Sequence, residues 1–148
     1  KIALVGGGVG IAPLFLAAKT YKAADPEVQV DVYLGFSGEP ILIEEYKAVA
    51  DNVIVNVGGF VTDDINPCDY DAICTCGPGI MMKVLYEKCQ KVGATAPLYV
   101  SMENRMACGI GACLACVCQS TEKDAHSNVN NKRVCKEGPV FAAEEVEL

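Results

Sequence analysis

Ile2-Ala3-Leu4-Val5-Gly6-Gly7-Gly8-Val9-Gly10-Ile11-Ala12-Pro13 is the stretch whose reading decides the fold. It starts with a short apolar run that ends in glycines, the profile of a parallel strand buried on both faces. After the glycines the period changes. Ile11, Leu14, Phe15 and Ala18 recur on one side of a helix predicted over Ile11–Tyr21, and Pro13 stands in the first turn, where a missing N–H is tolerated. In such a strand-to-helix turn, glycine backbone can press against a phosphate while the helix N-terminus offers N–H groups and a favourable dipole. The strict fingerprint G-x-G-x-x-G/A is not met, because Gly8-x-Gly10 is followed at the third marked position by Pro13. No G-K-[ST] follows, which excludes a triphosphate loop, and Leu34-Gly35-Phe36-Ser37-Gly38 stands where an acidic residue would end the second strand. A tight structural turn is the competing reading.

Working outward, Val28–Phe36, Val53–Val57, Asp71–Cys76 and Leu98–Met102 read as further strands. Pro40–Ala50 and Ile80–Val92 read as helices, the latter with Met81, Val84, Leu85 and Lys88 on one side and Gly93 as its stop. Strand and helix alternate across residues 1–102, which predicts an α/β nucleotide-binding domain, a five-stranded parallel sheet with helices on both faces. Cys76-Gly77-Pro78-Gly79 ends the fourth strand and opens a helix, on the side of the sheet where ligands of such folds bind. There Cys76 would turn a polarizable sulfur toward a flat ring, unless the turn is merely buried.

Past Met102 the periodicity disappears and cysteine and glycine concentrate. Residues 108–116, Cys-Gly-Ile-Gly-Ala-Cys-Leu-Ala-Cys, carry C-x4-C-x2-C, the spacing that holds three corners of a plant-type [2Fe–2S] cluster. Gly109 and Gly111 let the loop curl and bring N–H groups to the sulfides. Cys135 is the expected fourth ligand; Cys118 is a poorer one, since in Cys116-Val117-Cys118 it would crowd the same iron. Zinc would prefer two C-x2-C knuckles and only one is present, while a redox dithiol normally opens a helix and no helical pattern follows Cys116. Residues 103–148 are thus expected to form a small cluster-binding subdomain, closed by two short strands at Val134 and at Val140–Phe141. Gln119–Arg133 reads as a polar surface loop, and its His126, the only histidine, as solvated rather than a ligand.

A chain of 148 residues suits one core with a small appendage. Its net charge of −7 argues against a nucleic-acid face, and no apolar run reaches membrane-spanning length. Nine cysteines, an odd number with several inside apolar segments, point to a reducing cytoplasm rather than a secreted disulfide scaffold. Lys1 opens directly onto a core strand, which suggests that further chain precedes it.

G-G-G-x-G-x-x-P at residues 6–13 and C-G-P-x-x-M at 76–81 resemble the pyridine-nucleotide domain of the ferredoxin–NADP reductase superfamily. The segment Ser101–Cys113, with Met106-Ala107-Cys108-Gly109-Ile110-Gly111-Ala112-Cys113, narrows this: the chain resembles the electron-transfer subunits of type B dihydroorotate dehydrogenases over essentially its whole length. The resemblance implies that Gly7, Gly8, Gly10 and the start of the first helix (Ile11, Pro13) receive the NAD pyrophosphate. Ser37 and Gly38 would lie near the adenosine ribose, and Cys76, Gly77 and Pro78 near the nicotinamide. Cys108, Cys113, Cys116 and Cys135 would hold the cluster, with no general acid or base on this chain. It further implies an FAD-binding barrel ahead of residue 1 and a hetero-oligomer with an FMN-containing catalytic subunit. The stretch between the third strand and Phe60-Val61-Thr62 is short for the family, and Asn56-Val57-Gly58-Gly59 reads as a loop deleted or left out of the sequence. NAD is expected over NADP, since Gly35–Glu39 offers no cation for a 2′-phosphate. Independently of any family, nicotinamide exchanges a hydride and the cluster single electrons, so a chain with both sites calls for a flavin between them. Two rivals are an NAD(P)H-dependent reductase or hydrogenase-type diaphorase subunit with another partner, and a non-catalytic zinc-binding interaction module.

Overall fold

The computed structural model describes residues 1–124 and 128–148; the expectation for His126 lies outside the described residues. The chain divides into two units, Lys1–Leu98 and Tyr99–Leu148.

In the first unit β1 (Ile2–Gly7), β2 (Val30–Phe36), β3 (Asn52–Val57) and β4 (Ala72–Cys76) pair in parallel, in the order β3-β2-β1-β4. The apolar runs end up where such runs belong: Ala3, Leu4, Val5, Val30, Val32 and Leu34 are fully buried. Register sets up the functional end of the sheet. Gly6 lies opposite Leu34 on one side and Cys76 on the other, so the turns that leave β1 and β4 emerge side by side.

From the first of these turns rises α1 (Ile11–Ala24), whose Ile11, Leu14 and Ala18 are buried, three of the four positions that the spacing predicts. Helix α2 (Ile43–Lys47) is much shorter than the expected Pro40–Ala50, because Leu42 just ahead of it takes a left-handed conformation, φ 61°, that no helix continues. What α2 contributes is Tyr46, fully buried, edge-on to Phe15 at 5.3 Å and donating its hydroxyl hydrogen to the Ile11 carbonyl. A one-turn helix, α3 (Val61–Asp64), has no counterpart in the sequence reading. Gly93, φ 67°, caps α4 (Gly79–Val92) as expected. Its buried face, however, is Met82, Leu85 and Cys89 rather than Met81, Val84 and Lys88. The apolar residues of α4 serve two surfaces, and Met81 and Val84 face a cleft instead of the core.

The fifth strand, β5 (Leu98–Ser101), straddles the boundary between the units, and from Tyr99 it pairs with the second. That unit holds the antiparallel hairpin of β6 (Val117–Gln119) and β7 (Asn131–Arg133), then α5 (Val134–Glu137) and β8 (Val140–Ala142), the last antiparallel to β5. Val140 and Phe141 are in a strand as expected, but Val134 opens a helical turn, because the chain closes there on Glu137. The segment 119–133 is not loop throughout, since β7 lies inside it. Val100, Val134, Phe141, Ala143 and Val146 form the apolar interior of this unit. No helix among the described residues is long and apolar enough to cross a membrane.

Candidate functional site: a glycine-walled cleft and four paired thiols

At the carboxyl end of the parallel strands lies a cleft of about 360 Å³. Gly7 and Gly8 at the end of β1, Phe36 and Ser37 at the end of β2, Gly58–Thr62 after β3, and Pro78, Met81 and Val84 at the start of α4 surround it. Two glycines in its wall do different work. Gly10 has ordinary helical dihedrals, φ −62° and ψ −11°. A Cβ there would fall 2.4 Å from the Cys76 carbonyl oxygen and 2.6 Å from the Gly77 Cα, so glycine is what lets the two turns touch backbone to backbone. Gly8, by contrast, has φ +55° with nothing within 4 Å of its would-be Cβ. It leaves backbone exposed on the cleft for a ligand to approach.

Of the residues assigned to a dinucleotide, Gly7, Gly8, Ser37 and Pro78 line this cleft. Gly10 and Gly77 stand behind it as the packed pair, Gly38 lies beyond its lining, and Pro13 is exposed on α1. Two of the assigned residues lie apart from the cleft lining. The N–H of Ile11 bonds the carbonyls of Gly8 and Val9 and its side chain is fully buried, which leaves neither for a phosphate. Cys76 is 8% exposed and packs into the core cluster with Leu4, Ile11 and Leu14 instead of lining the cleft. Sequence reading missed the far wall. The stretch Asn56–Gly59 is a built turn: Asn56 Oδ1 accepts the Gly59 N–H at 3.0 Å and Nδ2 donates to Asp64 at 2.7 Å. It carries Phe60 to the lip of the cleft, 77% exposed. The pair Gly58-Gly59, followed by an aromatic residue, was the available signal. Among the described residues that line the cleft there is no lysine or arginine.

In the second unit the four expected ligands come together as two pairs. Cys108 Sγ accepts N–H bonds from Ile110 and Cys113, each at 3.5 Å, and lies beside the Cys113 thiol. These donors, that of Cys113 foremost, lower the Cys108 pKa to about 6. Cys116 Sγ accepts the Cys135 N–H at 3.4 Å, and the adjoining Cys116 thiol pushes the Cys135 pKa up. Gly109, φ 69°, and Gly111, φ 78°, curl the loop between the first two cysteines. Cys118 goes elsewhere: it is 9% exposed and its thiol donates to the Lys132 carbonyl across the β6–β7 hairpin. None of the nine cysteines is in a disulfide. Among the described residues no three His, Cys, Asp or Glu converge as a single-ion site. Two cysteine pairs fit the donor set of two sulfide-bridged irons, with one pair per metal.

Comparison with known proteins joins the two halves. Residues 103–147 match the iron–sulfur cluster binding domain of dihydroorotate dehydrogenase B. Over 100% of its length the chain is 40% identical to the electron transfer subunit of dihydroorotate dehydrogenase B (NAD(+)) from Clostridium perfringens. The chain is thus similar to these electron-transfer subunits over its whole length. The homologous subunit of Clostridium acetobutylicum is 37% identical, again across the whole chain. The chain spans 59% and 58% of the length of these two relatives. Among solved structures, a chain of the NADH-dependent reduced ferredoxin–NADP oxidoreductase, described for flavin-based electron bifurcation, superimposes with a TM-score of 0.80 at 32% identity. That match covers 99% of this chain and 53% of the other. That likeness agrees with the mixed α/β arrangement with a mostly parallel sheet described above.

Proposed function

We propose that the chain serves in an electron-transfer subunit of pyrimidine biosynthesis. Electrons from dihydroorotate, oxidised in an FMN-containing partner subunit, would travel by way of a [2Fe–2S] cluster and FAD to NAD⁺. The observation that carries this reading is the pairing of Cys108 with Cys113 and of Cys116 with Cys135, with Cys118 turned away. The similarity to the electron transfer subunits supports the rest. When bound, the cluster supplies one-electron exchange and the flavin the conversion between one electron and a hydride.

The chain's own residues bind and orient. Cys108, Cys113, Cys116 and Cys135 hold the two irons, and the N–H groups of Ile110 and Cys113 stabilise thiolate at Cys108. Gly7 and Gly8 offer bare backbone to a pyrophosphate, and Ser37 lies within reach of the adenosine ribose. Pro78 and Met81 close the nicotinamide side. The cleft favours NAD because no cation in its lining meets a 2′-phosphate and Glu39 repels one. No side chain acts as an acid or base; the protein positions carriers. Nine cysteines outside any disulfide suit the reducing cytoplasm.

A second reading, an NAD(P)H-linked reductase component with another partner, is favoured by the likeness to the ferredoxin–NADP oxidoreductase chain. The test is anaerobic assay of the complete protein purified with its natural partner. Dihydroorotate-dependent formation of NADH supports the proposal. Inertness toward dihydroorotate, with rapid electron exchange between NAD(P)H and ferredoxin, supports the second reading instead.

A further inference from the structure

Cys135 sits in α5, a helix of only four residues. So short a turn does not hold itself, since the first hydrogen-bonded turn fixes several dihedrals for a single bond. Its closure comes from Arg133 and Glu137. The Arg133 N–H donates to Glu137 Oε2, Arg133 Nε donates to the same oxygen at 3.2 Å, and Nη2 donates to Oε1 at 2.9 Å. Side-on pairing of guanidinium with carboxylate is the most directional ion pair available to a protein. Here the two side chains are 21% and 31% exposed, and Asp124 approaches the guanidinium at 3.9 Å.

The closed turn is also fastened to the other ligands. The Val134 N–H bonds the Cys116 carbonyl at 3.1 Å, beside the bond from Cys135 N–H to Cys116 Sγ. On the opposite side the stems of Lys136 and Arg133 lie over Gly111, in the loop between Cys108 and Cys113. A Cβ at Gly111 would fall 2.8 Å from Lys136 Cδ and 3.4 Å from Arg133 Cδ. Cys135 follows the polar segment after β6 and has no ligand neighbour in sequence closer than Cys116, so its thiol depends on this turn for its place.

We propose that the Arg133–Glu137 pair is a positioning clamp that fixes the Cys135 thiol for the cluster and seats α5 on the first ligand loop. This rests on the cluster reading above. Neither residue touches a metal; both act through Cys135.

The test uses the full chain carrying Glu137→Ala or Glu137→Gln, with its cluster reconstituted anaerobically. Loss of such an outer partner accelerates cluster release to a chelator about tenfold, more for alanine than for glutamine, and alters the electron paramagnetic resonance g-values of the reduced cluster. Release rates and spectra identical to wild type overturn the clamp. A second measurement stands apart from the cluster: amide hydrogen exchange of residues 134–137 in the metal-free chain. Faster exchange in Glu137→Ala supports the clamp even if the wild-type chain takes up no iron and sulfide, a result that would sink the cluster reading alone. Unchanged exchange overturns the clamp.

Discussion

Replacing Gly10 with alanine adds one methyl group at the point where the two ligand-side turns meet. The dihedrals of Gly10 suit any residue, so the whole penalty is steric. The new Cβ would lie 2.4 Å and 2.5 Å from the carbonyl oxygen and carbon of Cys76 and 2.6 Å from the Gly77 Cα. All three are backbone atoms, and no rotamer change relieves them. Gly77 has no room to retreat, because its own Cβ position is already 2.8 Å from the Gly7 carbonyl oxygen. Overpacking of this kind costs roughly 1–3 kcal/mol, and a contact made wholly with backbone belongs at the top of that range, about 3 kcal/mol. Gly8→Ala inverts the pattern. The left-handed conformation costs about 1 kcal/mol and no neighbour is struck, but the methyl group stands on the exposed backbone that a pyrophosphate would approach. Urea unfolding followed by far-ultraviolet circular dichroism, with NADH titration of the folded proteins, separates the two. Gly10→Ala loses stability, whereas Gly8→Ala keeps most of it and loses dinucleotide affinity. A Gly10→Ala protein within about 0.5 kcal/mol of wild type would refute the packed-turn argument.

Tyr46→Phe deletes one buried hydrogen bond to the Ile11 carbonyl and leaves the ring against Phe15; a loss of about 1 kcal/mol in urea unfolding is expected. Asp51 accepts from Lys22 Nζ at 2.8 Å and from the Val30 N–H at 2.7 Å, and these bonds, that to Lys22 first, lower its pKa in the folded chain. Its stabilising contribution is therefore complete above the unfolded value of about 4 and fades as the pH falls through the folded one. In urea unfolding, Asp51→Asn should lag wild type at neutral pH and converge with it in acid. The nucleotide cleft should favour NAD over NADP in kcat/KM for the flavin-complete subunit; the reverse preference would mean that Glu39 and Ser37 are placed differently toward the ribose.

What the sequence made legible is the part governed by period and by glycine. The β1–α1 turn, the parallel strands and the Gly93 cap follow from local patterns that tertiary packing reinforces. The close approach of Cys108 to Cys113 follows from a local pattern too, since only four residues, two of them glycine, separate them. The far wall of the cleft was not legible. A turn such as Asn56–Phe60 is defined by side-chain bonds from Asn56, which its composition does not announce. Nor does apolar spacing say which surface a residue serves: Met81 and Val84 obey the same helical period as Met82 and Leu85, yet face a ligand cleft. Cys76 shows the opposite case, since its position at a strand's end suggests exposure, while in the fold it is 8% exposed within the core cluster that holds Leu4 and Leu14. The α5 turn at Val134 was hidden because its closure depends on an ion pair four residues apart, while the segment's composition reads as strand.

The central claim, that four thiols in two pairs hold a two-iron centre, is tested by the cysteine series. Each of Cys108→Ser, Cys113→Ser, Cys116→Ser, Cys135→Ser and Cys118→Ser is reconstituted anaerobically, analysed for iron and acid-labile sulfide, and examined by electron paramagnetic resonance after dithionite reduction. The account predicts equal iron and sulfide with a [2Fe–2S] signal in wild type and in Cys118→Ser, and a lost or strongly altered signal in the other four. Tightly held zinc without sulfide, or a signal that survives Cys135→Ser and vanishes in Cys118→Ser, would contradict it.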